Sequence, residues 1–270
     1  MVLGHNRGWP DSRKVAPLTD QVDNVGPFHR LVVLGESTVE GGGWVQNVQE
    51  RWADLLANWL EYCQEQPLEY HNAGLGASVL STKSAGYEAS RKPSAAERLQ
   101  KQVIARDPDL LVIAYGLNDM RFGMQADAFR IEYECLLDDI ERQINPRIVI
   151  VNVYHQTGLG WYPPADQGSD EALAQYNDML QQVAAARRYI HADVWAAQGR
   201  CDWIVHNDGV HANKVGNLLI ANRVLEAIIH ACPGVARNMQ QRDERTPWAN
   251  NAQSFRHKVV EPVHRWEDAR

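Results

Sequence analysis

Apolar positions along the chain follow two rhythms. Five short runs, at residues 31–34, 68–71, 110–115, 148–153 and 189–194, are rich in Leu, Ile, Val and Tyr and end at polar, Gly or Pro positions. They read as strands. The third and fourth are nearly continuous apolar runs, as expected of parallel strands covered on both faces. Between them the apolar spacing changes to three and four. Val48, Trp52, Leu55, Leu56, Trp59, Leu60 and Cys63 share one helical face. Ser94 and Glu97 form a capping box after Pro93, opening a helix that stops before Asp107-Pro108. Phe129, Tyr133, Leu136, Leu137, Ile140 and Ile144 mark another, stopped by Asn145-Pro146. Ser169 caps a fourth helix, and Asn213 a fifth that runs to Cys232-Pro233-Gly234.

Strand and helix alternate from residue 31 to 232, which implies a parallel sheet with helices on both faces. No internal repeat or linker divides it. The expected organisation is an N-terminal extension (1–28), one α/β domain (29–234) and a C-terminal tail (235–270). Both flanks are polar and weakly periodic. The tail carries Trp248, Phe255 and Trp266. Packing on the domain, contact with another subunit in a homo-oligomer, and disorder are all open to it.

Composition narrows the function classes. A chain of 270 residues has room for one large α/β domain. A net charge of -7 argues against broad nucleic-acid binding, which rests on phosphate neutralisation by Lys and Arg. The first thirty residues contain no continuous apolar segment, so no secretory signal is visible and a cytoplasmic location is expected. No stretch is long and apolar enough to span a bilayer, so no membrane partner is expected. Cys63, Cys135, Cys201 and Cys232 form no Cys-x-x-Cys pair and read as reduced, buried thiols.

Four patches carry candidate chemistry. Ser37 directly follows the first strand, in Gly35-Glu36-Ser37-Thr38. Ligands of open α/β sheets bind beyond the carboxyl ends of the strands, so this Ser is placed for nucleophilic work; capping a turn is its plainer role. Glu36 reads as structural rather than as a base. Asn72-Ala73-Gly74 follows the second strand, where a Gly can present its N–H to an oxyanion or simply make a turn. Asn118, in Gly116-Leu117-Asn118-Asp119, follows the third, and its amide can donate to an oxyanion or close a turn. Asp208 and His211 stand three residues apart before the last helix. The carboxylate can hold one ring nitrogen while the other faces Ser37. A capping Asp with a surface His is the plainer alternative. A metal site drawn from His206, Asp208, His211 and His155 is a third, disfavoured because it leaves the Ser and Asn patches idle.

In this order the patches resemble the GDSL esterases of the SGNH hydrolase superfamily. The matching residues are Gly35-Glu36-Ser37-Thr38, Gly74, Asn118, and Asp208 with His211; Asp107-Pro108-Asp109-Leu110 before the third block and Asn213 with Gly216 after the last also fit. The likeness spans about residues 30–232. Glu36 departs from it, standing where the family usually has Asp. The resemblance implies a three-layer α/β/α, flavodoxin-like fold with a five-stranded parallel sheet in the order 2-1-3-4-5. It implies Ser37 as nucleophile, His211 as base and Asp208 as its orienter. It implies an oxyanion hole from the Ser37 N–H, the Gly74 N–H and the Asn118 side chain, with no metal or organic cofactor.

The expected reaction is therefore hydrolysis of an O-acyl ester through an acyl-enzyme. Trp44 lies just past the nucleophile loop. His155, Trp161 and Tyr162 lie in the long loop after the fourth strand. Aromatic rings with a few polar groups suit a sugar, and an acyl chain nearly as well. Polar loops without a long apolar lid favour O-acetyl esters on small molecules or oligosaccharides over the alternatives, a lipid esterase, lysophospholipase or acyl-thioesterase. A noncatalytic phosphate- or nucleotide-binding module built on Gly35 and Gly41-Gly42-Gly43 is the other class considered. It lacks a phosphate-loop Lys and leaves Asp208, His211 and Asn118 without a role.

Overall fold

A computed structural model describes residues 25–245 of the chain. The strands are β1 (Arg30–Gly35), β2 (Glu69–Gly74), β3 (Leu110–Ala114), β4 (Arg147–Val151) and β5 (Ile190–Ala192). All neighbours pair in parallel, in the order β2-β1-β3-β4-β5. This is the three-layer, flavodoxin-like arrangement expected. The helices are α1 (Ser37–Glu40), α2 (Trp52–Gln64), α3 (Tyr87–Ser90), α4 (Ala95–Gln102), α5 (Leu117–Arg121), α6 (Ala126–Glu141), α7 (Asp170–Arg187), α8 (Val194–Gln198), α9 (Lys214–Ala231) and α10 (Arg237–Arg245).

Alternation along each strand sorts the core into two halves. Val32, Leu34, Leu111, Ile113, Ile148 and Ile150 face one way and pack with the apolar stripes of α4, α6 and α7. Leu31, Val33, Leu110, Val112, Val149 and Val151 face the other way, against α2 and α9. Val33, Leu34, Val112 and Ile113 are wholly buried, each worth about 1.5–3 kcal/mol relative to exposure.

The ends of elements differ from the sequence reading for local reasons. The helical stripe beginning at Val48 is broken, because Arg51 is extended (φ -67, ψ 138) between a 3-10 turn at Val48–Glu50 and α2. Its guanidinium grips Asp54 at 2.6 and 2.7 Å. The fourth strand stops at Val151 because the Asn152 side chain and the Val153 N–H bond elsewhere. Asn152 Oδ1 accepts the Val194 N–H at 2.8 Å, and the Val153 N–H donates to Asn177 Oδ1 at 2.9 Å. The fifth stops at Ala192 because Asp193 caps α8. The second runs further than its apolar run, to Gly74, which pairs in register with Gly35. The Ser94–Glu97 capping box is present.

The start of the tail is ordered. Although its sequence is polar, α10 packs back on the domain: Met239 lies against the α2–α9 core half and Asn238 Nδ2 donates to the Gln64 carbonyl at 3.1 Å. Trp248, Phe255 and Trp266 lie outside the described residues, as does most of the N-terminal extension. Cys63 and Cys232 are buried, Cys201 is partly buried, and Cys135 is exposed on α6, contrary to the expectation for that residue; all four are free thiols.

Candidate active site

Gly35, Gly74 and Ala114 end their strands side by side. A Cβ on Gly35 would lie 2.3 Å from Val39 Cγ2 and 2.9 Å from the Ala114 carbonyl oxygen. Only glycine therefore lets the chain turn so sharply from β1 into α1. Ser37 is the first residue of that turn. Its N–H is one of the orphan donors of a helix start and has no partner among the described residues. The Thr38 carbonyl is fixed from behind by Trp52 Nε1 at 2.7 Å.

The opposite wall is a tight loop closed by the Val205–Ala212 bridge, with Gly209 at φ 73. Asp208 Oδ1 accepts the N–H groups of Val210 and His211, both at 2.9 Å. Asp208 Oδ2 lies 2.8 Å from His211 Nδ1, and His211 Nε2 lies 2.8 Å from Ser37 Oγ. An ionised carboxylate only accepts, so Nδ1 carries the proton and the Nε2 lone pair faces the serine hydroxyl. Burial opposes the charge on Asp208, but the two N–H groups and the His211 ring outweigh it and bring its pKa down to about 2. Burial lowers the His211 pKa, with Asp208 pulling the other way. The ring is thus neutral at neutral pH and able to accept a proton. Residues 174 positions apart in sequence form one hydrogen-bonded chain of hydroxyl, imidazole and carboxylate.

Glu36 fixes the third wall. Its buried carboxyl accepts the Gly116 N–H at 2.8 Å and the Asn118 N–H at 3.0 Å, tying the end of β1 to the turn into α5. Burial, reinforced by the nearby Asp119, raises its pKa to about 8. Asn118 Nδ2 donates to the Ser78 carbonyl at 2.9 Å. That uses one of its two amide hydrogens and leaves the other.

Gly74 is not placed as the sequence reading had it. Its N–H donates to Asn72 Oδ1 at 2.9 Å, and its Cα is pressed against α1, where a Cβ would lie 2.1 Å from the Glu40 nitrogen. Its missing side chain serves close packing. The following turn comes nearer the serine: a Cβ on Gly76 would sit 3.8 Å from Ser37 Cβ. The Gly76 N–H is engaged by Glu40 Oε2 at 2.7 Å. Ala77, at φ 59, has an N–H without a partner among the described residues. An alanine carries no sequence signal for positive φ, so sequence reasoning misses it.

The loop between β4 and α7 folds over the Asp208 loop. The N–H groups of Thr157 and Gly158 both donate to the Gly209 carbonyl, and Tyr162 Oη donates to the Asp208 carbonyl at 3.0 Å. Buried Arg121, one turn past Asn118, holds the Trp161 carbonyl at 2.7 Å. Trp161 and Tyr162 remain about half exposed beside the site. His155 differs: it is buried, and its Nε2 is engaged by Asp202 Oδ1 at 2.7 Å. Trp44 stacks on His211, with ring centroids 3.5 Å apart and planes 3° from parallel. Among the described residues no three His, Cys, Asp or Glu side chains are grouped to hold a metal ion.

Known proteins share this architecture. The chain overlays on a carbohydrate acetylesterase family member from Sinorhizobium meliloti with a TM-score of 0.63 at 18% identity, covering 76% of this chain and 99% of that one. For an acetylxylan esterase from Geobacillus stearothermophilus the values are 0.56 and 17%, over 74% and 94%. For TesA they are 0.58 and 16%, over 75% and 99%. At such identities the likeness is one of fold. No curated protein sequence matches the chain. A family model does, over residues 33–219. The protein belongs to the GDSL-like lipase/acylhydrolase family and is an ester-hydrolysing enzyme.

Proposed function

We propose that the protein is a serine esterase that removes O-acetyl groups from carbohydrates through a Ser37 acyl-enzyme. The observation that carries the reading is the hydrogen-bonded chain Ser37 Oγ–His211 Nε2 and His211 Nδ1–Asp208 Oδ2. Ser37 Oγ attacks the ester carbonyl carbon while its proton passes to His211 Nε2. The alcohol leaves with that proton. Water then gives a proton to Nε2 and its hydroxyl to the acyl carbon, and Ser37 regains a proton as the acid departs. The charge that develops on the carbonyl oxygen is met by the Ser37 N–H, the free hydrogen of Asn118 Nδ2 and the Ala77 N–H. Ala77 takes the part expected of Gly74, whose own N–H is engaged. Losing one such donor costs on the order of a hundredfold or more in rate.

The half-exposed rings of Trp161 and Tyr162 support a carbohydrate substrate, since apolar ring faces suit sugar rings. The fold likeness to acetylesterases supports the acetyl group, and the likeness to TesA keeps a thioester in view as the second reading. The test is hydrolysis of p-nitrophenyl acetate, butyrate and octanoate beside acetylated xylo-oligosaccharides, with Ser37→Ala as control. Turnover restricted to acetate, acetate released from the sugars and an inactive S37A are expected. Preference for octanoate would move the substrate to lipids or thioesters. Undiminished turnover by S37A would overturn the mechanism.

A further inference from the structure

Trp44 belongs to neither half of the hydrophobic core. The 41–51 segment nevertheless shapes itself around this ring. A Cβ on Gly42 would lie 2.4 Å from the indole, so glycine is needed where the chain folds back on it. The segment is tied down behind the ring: the Val45 N–H donates to the Gly42 carbonyl at 3.2 Å, the Gln46 N–H to Glu50 Oε2 at 2.9 Å, and Arg51 to the Glu40 carbonyl at 2.8 Å. Gly42, a residue of the candidate phosphate cradle, thus serves to seat a tryptophan. The indole face against His211 is closed to substrate, whatever the sequence suggested for it.

His211 has both ring nitrogens bonded in its own plane, to Asp208 and to Ser37. In the acyl-enzyme Ser37 Oγ is esterified and that hydrogen bond is gone. Asp208 alone cannot stop the ring from tilting about the remaining bond. A parallel indole can, because tilting drives the imidazole into it. The same face favours a cation, and His211 becomes imidazolium in both halves of the reaction. The charged and titratable groups around His211 are Asp208, which favours the cation, and Arg121 and His206, which oppose it. We propose that Trp44 is a positioning residue for His211: it holds the imidazole plane through the acyl-enzyme stage and favours the imidazolium that forms before and after it. This inference rests on the acyl-transfer reading.

The test compares wild type, Trp44→Phe, Trp44→Ala and Ser37→Ala on p-nitrophenyl acetate with stopped-flow and steady-state kinetics. W44A should lose about thirtyfold in kcat, the scale of a desolvated cation–π contact. Its KM should stay or fall, and a burst of one p-nitrophenol per enzyme should precede a slow steady state as deacylation becomes limiting. W44F, which keeps a ring face, should recover most of the rate. A raised KM with kcat kept, or equal loss in W44A and W44F, would overturn the proposal. A second measurement does not need turnover. Imidazolium quenches indole emission, so acidification should dim a component of the fluorescence that both W44F and His211→Asn abolish. Identical titrations in all three proteins would also overturn it. If S37A turns over like wild type, the acyl-transfer reading fails, while the fluorescence still decides whether the stack exists.

Discussion

A single methylene separates Glu36 from the Asp usual at its position, and the site uses the longer arm. The carboxyl spans from the end of β1 to two N–H groups beyond β3 and so sets the place of Asn118. In Glu36→Gln one acceptor becomes an NH2 facing an N–H donor. We expect a loss of about 1–3 kcal/mol in stability and a fall in kcat as Asn118 shifts, measured by urea unfolding and steady-state kinetics. The pH dependence carries a sign. In the unfolded chain the group loses its proton near 4.5, in the folded chain near 8. Between these values the folded state binds more protons, so this group lowers stability as pH rises through that window. Removing it in E36Q should flatten the loss of stability between those limits. His211 predicts an opposite trend in rate. On the acyl-transfer reading it is a neutral base, and burial lowers its pKa. Activity should therefore persist below the ordinary His titration near 6.5 and fall only at lower pH. Asp208→Asn should cost several orders of magnitude in kcat by releasing the ring tautomer. The meeting of Ser37, Asp208 and His211 was legible because their residue types and chain order point to one chemistry. That Glu36 is structural was legible too; its partners were not, because they depend on which strands become neighbours. Ala77 was not, because residue type says nothing of a positive φ forced on an alanine.

Elements were legible where they are long and periodic. β1, β3 and α6 follow from apolar spacing, α7 and α9 from their caps. α1 and α5 are single turns, too short to show a period, yet they hold Ser37 and Asn118. β4 and β5 came out shorter than their apolar runs, since side-chain amides at Asn152 and Asn177 take over the backbone N–H groups there. The segment joining β4 to α7 has no regular structure of its own and depends on borrowed bonds. Arg121 supplies two of them: its guanidinium holds the Trp161 carbonyl, and its own carbonyl accepts the Gln167 N–H at 2.9 Å. Arg121→Ala removes the first and leaves the second. We expect about 1–3 kcal/mol lost from the loop's local stability, read as faster amide exchange over residues 157–168 and unchanged exchange in β1 and β3. If Trp161 and Tyr162 bind sugar, KM for an acetylated oligosaccharide should rise in this variant. Turnover of p-nitrophenyl acetate, too small to reach those rings, should change less, through the loss of the Arg121 charge near His211.

At the scale of the molecule, the parallel sheet separates two ends. All strand C-termini lie together, and every group of the candidate site comes from the segments leaving them. The N-terminal ends face the other way and are closed by different contacts. Phe28 exchanges hydrogen bonds with the Gln64 side chain at the end of α2, at 3.0 and 2.7 Å, and α10 docks beside them through Met239 and Asn238. Among the described residues, that docking covers apolar surface of α2 and reaches no group near Ser37. Truncation after Ala236 should therefore separate stability from activity. The variant should unfold at lower temperature, since a partly buried Met and a hydrogen bond are lost, together about 1–4 kcal/mol. Its kcat/KM on p-nitrophenyl acetate, per folded molecule, should match the full chain. Thermal unfolding and active-site titration on the same sample measure both quantities. Equal Tm values would mean that α10 adds nothing to the domain. A collapse of kcat/KM in a fully folded variant would mean that residues beyond α10 reach the site, in the same chain or in a second copy, and chain mass in solution would tell which.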